Sequence, residues 1–419
     1  MPFRYFQRPF ALGSIILLLV AGAFAQSTRP RRVQPKPEPK QTAAKQDSLL
    51  LPQPTPTPAA KNTNVPLLDI KPVKPVADSS APVDTDTTHA YTMFQQKQYA
   101  VAAKEAKQIA NLDPQNSEAW KIAGFSELAL KQYTEAAADL RKALDLQVAA
   151  KQDDAPTIDA LGQAYVFAEK YDLALPLLVK ATTRAGAQPD AVTLYYRGLS
   201  EYKTGKVADA EATFNAVVKL NPKDSISLYY LGQIALTKND LDGAIAALNR
   251  ATVNDPRQAA AWMQLTAAYL RRAGSAPDPA KADADYLSAV RAGEGLIKVR
   301  TDGDAVMLFG QALIGARQYP RAAIALERVT TTGDASETVF YLLGVAQSRS
   351  KNFPKAIAAL ERAAQKKPDD VNVYRELGYA YEVTKQYAKA LTVYEKGLAI
   401  IPNDSDFKES ADRVRPFAK

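Results

Sequence analysis

The chain has 419 residues, of which 47% are apolar and 23% charged, and it contains no cysteine. Disulfides, thiolate metal sites, a cysteine nucleophile and an N-terminal cysteine lipid anchor are therefore excluded, and with His89 as the only histidine a multi-histidine site has too few imidazoles. The net charge of +8 loses its meaning once located: residues 1–82 hold eleven Lys/Arg and four acids, or +7, leaving 42 against 41, or +1, so the body has no basic stripe for nucleic acid.

The N-terminal stretch MPFRYFQRPFALGSIILLLVAGAFAQ places Arg4 and Arg8 before an apolar run, then Ala-Phe-Ala before Gln26. Basic, apolar, then small-x-small is the order of a secretory signal peptide, here residues 1–25 with cleavage after Ala25. The alternative is an uncleaved membrane anchor. Phe10–Ala25 falls short of the ~20 residues that span a bilayer, whereas Arg29, Arg31 and Arg32 close behind it can impede translocation. Residues 26–82 read RPRRVQPKPEPK, LPQPTPTPAAK and DIKPVKPVADSSAP, and 14 of the 27 prolines fall within 1–82. Proline fixes φ and lacks an N–H, so this segment is expected to be a disordered, polyproline-II-biased linker.

Beyond it one pattern recurs. Gly310, Gly344 and Gly378 are 34 residues apart, as are Gly198 and Gly232, with Gly124 and Gly162 at slightly longer spacings. Twelve residues after each glycine stands an alanine: Ala136, Ala174, Ala210, Ala244, Ala322, Ala356 and Ala390. Prolines close many of the units, at 114, 222, 256, 368 and 402. A fixed period in this range marks a solenoid. Within a unit Tyr374, Leu377, Gly378 and Tyr381 follow i, i+3, i+4, i+7, as do Tyr387, Ala390, Leu391 and Tyr394, so each unit is two amphipathic helices. Glycine inside a helix costs ~1 kcal/mol relative to alanine. Its recurrence implies close helix packing, with Gly378 expected to face Ala390. Pro320 and Pro354 sit near the start of second helices, where a missing N–H is harmless. Pro176, deeper in YDLALPLLVKA, is expected to kink its helix or delay its start.

These residues resemble the tetratricopeptide repeat (TPR), with an exported bacterial type indicated by the N-terminus. The family's W, L-G, Y, A, F, A and closing P are matched by Trp120, Gly124, Tyr133, Ala136 and Leu140, again by Trp262, Leu265 and Tyr269, and most fully by the last unit. The resemblance implies an all-α, right-handed superhelical solenoid of about nine helix-turn-helix repeats. They start near residues 83, 117, 155, 191, 225, 259, 303, 337 and 371, giving an array over 83–403 and a capping helix over 404–419. The first unit has Ala90 in place of glycine. The sixth has Thr266 there and ten extra residues around AGSAPDPAKADADY, which leave its second helix unassigned.

Little in the chain points to catalysis. His89 falls in the first and weakest helix, and no glycine-rich phosphate loop follows a strand. Asp153–Asp154 and Asp369–Asp370 lie between helices, where turn and N-cap duties account for them. No catalytic residue, cofactor or metal ligand is assigned. The resemblance implies instead a concave groove lined by first helices, which takes a protein or peptide. In register, its residues would be Lys121, Phe125, Phe167, Tyr195, Tyr202, Lys203, Tyr229, Gln233, Met263, Arg271, Met307, Gln311, Tyr341, Arg349, Arg375 and Tyr379. Tyr, Met and Arg suit an interface, although some of these rings pack between repeats instead. The expected function is an exported scaffold for protein–protein interaction in cell-envelope assembly or export, within an envelope or membrane-associated complex. The alternative is a polysaccharide- or cell-wall-associated export factor that stacks glycan on the tyrosine-rich face.

Overall fold

The computed structural model describes residues 86–152, 154–186, 188–331 and 335–419. The expected signal segment and proline-rich linker lie outside them. The described residues hold no strand, a short 3-10 helix at Arg415–Phe417 and nineteen α-helices. In chain order these are α1 Thr88–Gln95, α2 Tyr99–Leu112, α3 Ser117–Ala129, α4 Tyr133–Ala149, α5 Ala155–Phe167, α6 Tyr171–Thr183, α7 Ala191–Lys203, α8 Val207–Leu220 and α9 Ser225–Thr237. They continue as α10 Leu241–Asn254, α11 Ala259–Ser275, α12 Pro279–Val299, α13 Gly303–Gly315, α14 Tyr319–Thr330, α15 Glu337–Arg349, α16 Phe353–Lys366, α17 Val371–Val383, α18 Tyr387–Ile400 and α19 Ser405–Val414. The helices form two compact units, α1–α9 and α10–α19, and the division falls at the turn after Thr237. Each unit is a helical repeat solenoid in which consecutive helices pack against one another.

Local chemistry starts and stops these helices. Several first helices begin behind a side-chain cap: Asn116 accepts from the Ala119 N–H, Asp190 from Val192 and Thr193, Ser336 from Val339, and Asp404 opens α19 by accepting from Phe407. Between first and second helix the chain reverses in three residues, and in eight of the nine hairpins the middle one has positive φ. Gly205 is the only glycine among these residues, the others being Lys97, Lys131, Glu169, Asn239, Arg317, Lys351 and Lys385. The following N–H then reaches back to a carbonyl five residues earlier, as Gln132 does to Glu127 at 2.9 Å and Gln386 to Tyr381 at 2.8 Å. This is the 6→1 bond of a Schellman turn. Consecutive repeats are pinned in a second way. Trp120 and Trp262 donate their indole N–H to the carbonyls of Pro114 and Pro256 at 3.0 and 2.9 Å, and the Tyr374 hydroxyl donates to Pro368 at 2.7 Å.

The recurring glycine proves to serve a large side chain. Gly378 lies beneath the ring of Tyr394, whose atoms are the nearest that a side chain at this position would meet. The relation repeats sixteen residues along: Leu140 sits on Gly124, Leu178 on Gly162, Phe214 on Gly198, Leu326 on Gly310 and Leu360 on Gly344. All of these large side chains are buried. The second helix thus presses a side chain onto bare backbone of the first, and the alanines twelve residues after each glycine are fully buried as well. Burying each such side chain is worth ~1.5–3 kcal/mol.

Three other expectations can be set against the structure. Of the two outcomes expected at Pro176, a delayed start is ruled out, because α6 begins at Tyr171 and runs through the proline to Thr183. The sixth hairpin keeps its second helix, and its extra residues lengthen both arms, α11 to 17 residues and α12 to 21. Pro279 takes the first helical turn of α12, where proline is tolerated, and the Asp278 side chain caps Ala280. Asp154 precedes α5 without bonding a helix N–H; its carboxylate accepts from the Thr157 hydroxyl and from Gln147 instead.

Candidate functional site: the first-helix faces and a cavity at the hairpin turns

In the first unit the groove residues expected from the sequence divide into packed and presented. Lys121, only 4% exposed, bridges Glu118 at 3.5 Å and Asp154 at 3.2 Å. Burial raises the Glu118 carboxyl above its usual range, and Lys121 opposes that shift. Phe125 is buried with its ring centroid 6.2 Å from that of Phe94. Half-buried Phe167 stacks on Tyr133 at 4.6 Å. Tyr195, 9% exposed, is packed among Tyr196, Phe214 and Tyr230.

What remains presented is carried by α7 and α9. Tyr202 is half-buried beside Tyr230, and Lys203 is exposed with its ammonium 5.9 Å from the Tyr171 ring centre. Tyr229 and Gln233 are half-buried one helical turn apart, and the Gln233 amide donates to the Tyr229 hydroxyl at 2.6 Å. Burial pushes the Tyr229 phenol up to about 12, so it stays protonated and can donate a hydrogen bond at any ordinary pH.

In the second unit Tyr341 is buried at 7% exposure, and burial together with nearby Glu376 and Asp370 raises its phenol strongly. Arg349 is tied by two hydrogen bonds, 3.0 and 2.9 Å, to the Glu376 carboxylate. Arg375 reaches Asp404 at 2.8 Å and lies 4.9 Å from the Phe407 ring centre, joining α17 to the cap. Arg271 bonds Asn239, and the Met263 sulfur accepts from Arg300 at 3.0 Å. Met307 and Gln311 are half-buried on α13. Tyr379 is half-buried and meets Phe353 edge-on, with centroids 6.4 Å apart.

Two of these residues, Arg349 and Tyr379, share the wall of an open cavity of about 560 Å³. First helices also contribute Ile314, Gly315, Val345, Ser348 and Val383, while the rest comes from places that reasoning on first helices passes over: Tyr286, Tyr319 and Phe353 on second helices, and Arg317 and Lys351 in the turns. A signal for them does exist in the sequence. Tyr99, Tyr133, Tyr171, Tyr319, Phe353 and Tyr387 each stand at the first position of a second helix, two residues after the positive-φ position. His89 is exposed and paired with Glu105 at 2.7 Å. Among the described residues no group of three His, Asp or Glu side chains could hold a metal, and no helix is long and apolar enough to cross a membrane.

Stacked helical hairpins that leave part of their first helices uncovered define a protein-interaction scaffold. Residues 87–155, 195–259, 307–371 and 341–405 match the tetratricopeptide repeat profile, together more than half of the chain, which therefore belongs to the tetratricopeptide repeat family. Arrays of this family bind peptide or protein partners and are in general non-catalytic. No curated protein matches the sequence. Among solved structures, YrrB, described as a TPR protein with an unusual peptide-binding site, is 18% identical over 48% of this chain and 97% of its own, with a TM-score of 0.39. MamA from Desulfovibrio magneticus RS-1 is 22% identical over 43% and 98%, with a TM-score of 0.38. The C-terminal part of a TPR protein from Cytophaga hutchinsonii is 16% identical over 68% and 97%, with a TM-score of 0.42.

Proposed function

We propose that the chain is an exported scaffold that holds an extended segment of a partner protein against its first helices, in the assembly or export machinery of a cell envelope. The observation that carries the binding half of this reading is the cavity of about 560 Å³ walled by Arg349 and Tyr379. These residues come from consecutive first helices of one unit. A partner segment lying along such a face meets half-buried rings that bring contact area at low entropic cost and retain a polar tip. In the other unit Tyr202, Lys203, Tyr229 and Gln233 offer the same kind of surface on α7 and α9. The export half rests on the order of charge, apolar run and small residues in 1–25 and on the proline-rich linker behind them.

A glycan-stacking role finds less support. Tyr195 and Tyr341, two rings it would use, are buried in the repeat core.

The test is affinity capture by the full chain from an envelope extract, read by mass spectrometry, beside Tyr202→Ala/Tyr229→Ala and Met307→Ala/Tyr379→Ala forms. A partner retained by the wild type and lost with either double substitution supports the reading. Capture indifferent to both overturns it. Fractionation of the tagged chain tests export, which is refuted if the protein remains in the cytoplasm with residues 1–25 attached.

A further inference from the structure

The cavity of the second unit has a chemistry of its own. Three of its rings, Tyr286, Tyr319 and Phe353, come from successive second helices and are half-buried, and Tyr379 faces them from α17. Tyr286 can take its place because Gly315 is bare; a side chain there would overlap its ring. The lengthened α12 also contributes Asp283. The volume falls within the ~300–1,000 Å³ usual for pockets that enclose a small ligand or an inserted side chain.

The rim is cationic. Arg317 and Lys351 project from positive-φ turn positions, and both are exposed. Asp283 pairs with Arg317 at 3.5 Å, and Glu376 holds Arg349. Among the described residues Lys351 makes no ion pair, so its charge stands uncompensated at the mouth. At the floor Ser348, 4% exposed, has a hydroxyl without a hydrogen-bond partner. An aromatic pocket with a surplus cation and an unused hydroxyl is complementary to an apolar side chain next to a carboxylate. The chain's own N-terminal region is a poor occupant, since residues 1–82 carry +7.

We propose that this cavity is a socket for an acidic linear segment of a partner protein, which inserts one aromatic or large aliphatic side chain between the rings and sets an adjacent Asp or Glu against Lys351 and Arg317. The proposal rests on the scaffold reading above and names the chemistry of the segment that the scaffold takes.

The experiment measures binding of fluorescent peptides of about nine residues to the full chain by polarisation, peptides being ordinary ligands for grooves of this kind. One probe has a central Trp flanked by Glu, a second the same Trp flanked by Lys, and a third copies the proline-rich stretch of residues 51–61. The acidic probe should bind. Arg317→Glu/Lys351→Glu should weaken it about tenfold or more and favour the Lys-flanked probe, a tenfold change being ~1.4 kcal/mol. Both side chains are exposed on turns, and an unchanged circular dichroism spectrum verifies the fold. Tyr379→Ala, which alters no charge, should weaken both Trp probes. Equal binding of the acidic and basic probes, or indifference to charge reversal, overturns the socket. Tighter binding of the proline-rich probe overturns it in favour of the chain's own segment. Self-association that is lost on charge reversal overturns it in favour of a second copy. A captured partner that survives Arg317→Glu/Lys351→Glu but is lost with Tyr202→Ala/Tyr229→Ala sinks the socket and keeps the scaffold. Specific acidic-peptide binding with no partner captured from an envelope extract keeps the socket and overturns only the envelope setting of the scaffold.

Discussion

Replacing Gly310 with alanine tests what the recurring glycine does. An added Cβ would lie 2.7 Å from Cδ2 and 2.9 Å from Cγ of Leu326, well inside van der Waals contact. Leu326 is fully buried and cannot swing away without disturbing its neighbours. Overpacking of this kind costs ~1–3 kcal/mol, while Gly→Ala in a helix gains up to ~1 kcal/mol. The net expectation is a loss of about 1–2 kcal/mol. Gly274 supplies the contrast, because it lies in α11 with nothing within 4 Å of its missing side chain, so Gly274→Ala should stabilise by up to ~1 kcal/mol. Leu326→Ala alone costs ~2–5 kcal/mol. In that background the clash disappears, and Gly310→Ala should turn stabilising. Urea midpoints of the full chain, followed by circular dichroism, give all four corners of the cycle. The packing account fails if Gly310→Ala stabilises the unaltered chain as Gly274→Ala does, or if the coupling with Leu326 stays within ~0.5 kcal/mol.

Three further expectations concern charge and backbone. Burial, reinforced by Asp139 and opposed by Lys107, pushes the Glu127 carboxyl up to about 7, so the folded chain holds a proton there that the unfolded chain releases near 4.5. Its stabilising share is full below 4.5 and is lost as pH rises through 7; melting temperatures should fall between pH 5 and 8, with a shallower slope in Glu127→Gln. An undiminished slope in that variant would assign the effect to another group. Arg349 and Glu376 have side chains only 11% and 6% exposed, so Arg349→Ala strands a buried carboxylate at a cost of ~3–5 kcal/mol, whereas Arg349→Met/Glu376→Leu should be far milder. Denaturant midpoints that put the double variant below the single one count against this. At the positive-φ turns, Lys131→Gly should be neutral or stabilising by up to ~1 kcal/mol and Gly205→Ala destabilising by about the same, both read from thermal melts.

The period of 34 residues and the twin helical spacing made the repeat architecture readable without coordinates. The face of each first helix was harder to read. In α3 every residue from Ala119 to Leu128 is buried, charged Lys121 and Glu127 included, because a first helix is enclosed by its own partner and by both neighbouring repeats. A pattern of apolar residues cannot mark an open side on a helix with so few open positions, and this is why Phe125, Tyr195 and Tyr341 looked available. The contact of Gly378 with Tyr394 is hidden for a related reason: a helical apolar pattern marks which face of each arm is buried, but not which large side chain of the second arm lies over the glycine sixteen residues before it. In the sixth unit Pro277 and Pro279 suggest a loop, yet a proline in a first helical turn interrupts nothing.

The tightest contact of a hairpin joins residues only sixteen apart, as Leu140 on Gly124 or Leu360 on Gly344. A ribosome therefore releases both sides of this contact within a few seconds of elongation, and the contact itself waits for no distant part of the chain. An array of such hairpins can gain structure repeat by repeat as each neighbour emerges to cover the last. If it must pass a membrane as a thread, the cell has to engage its leading end before the first few arms close, and the long stretch of proline ahead of the array lengthens the interval in which that can happen.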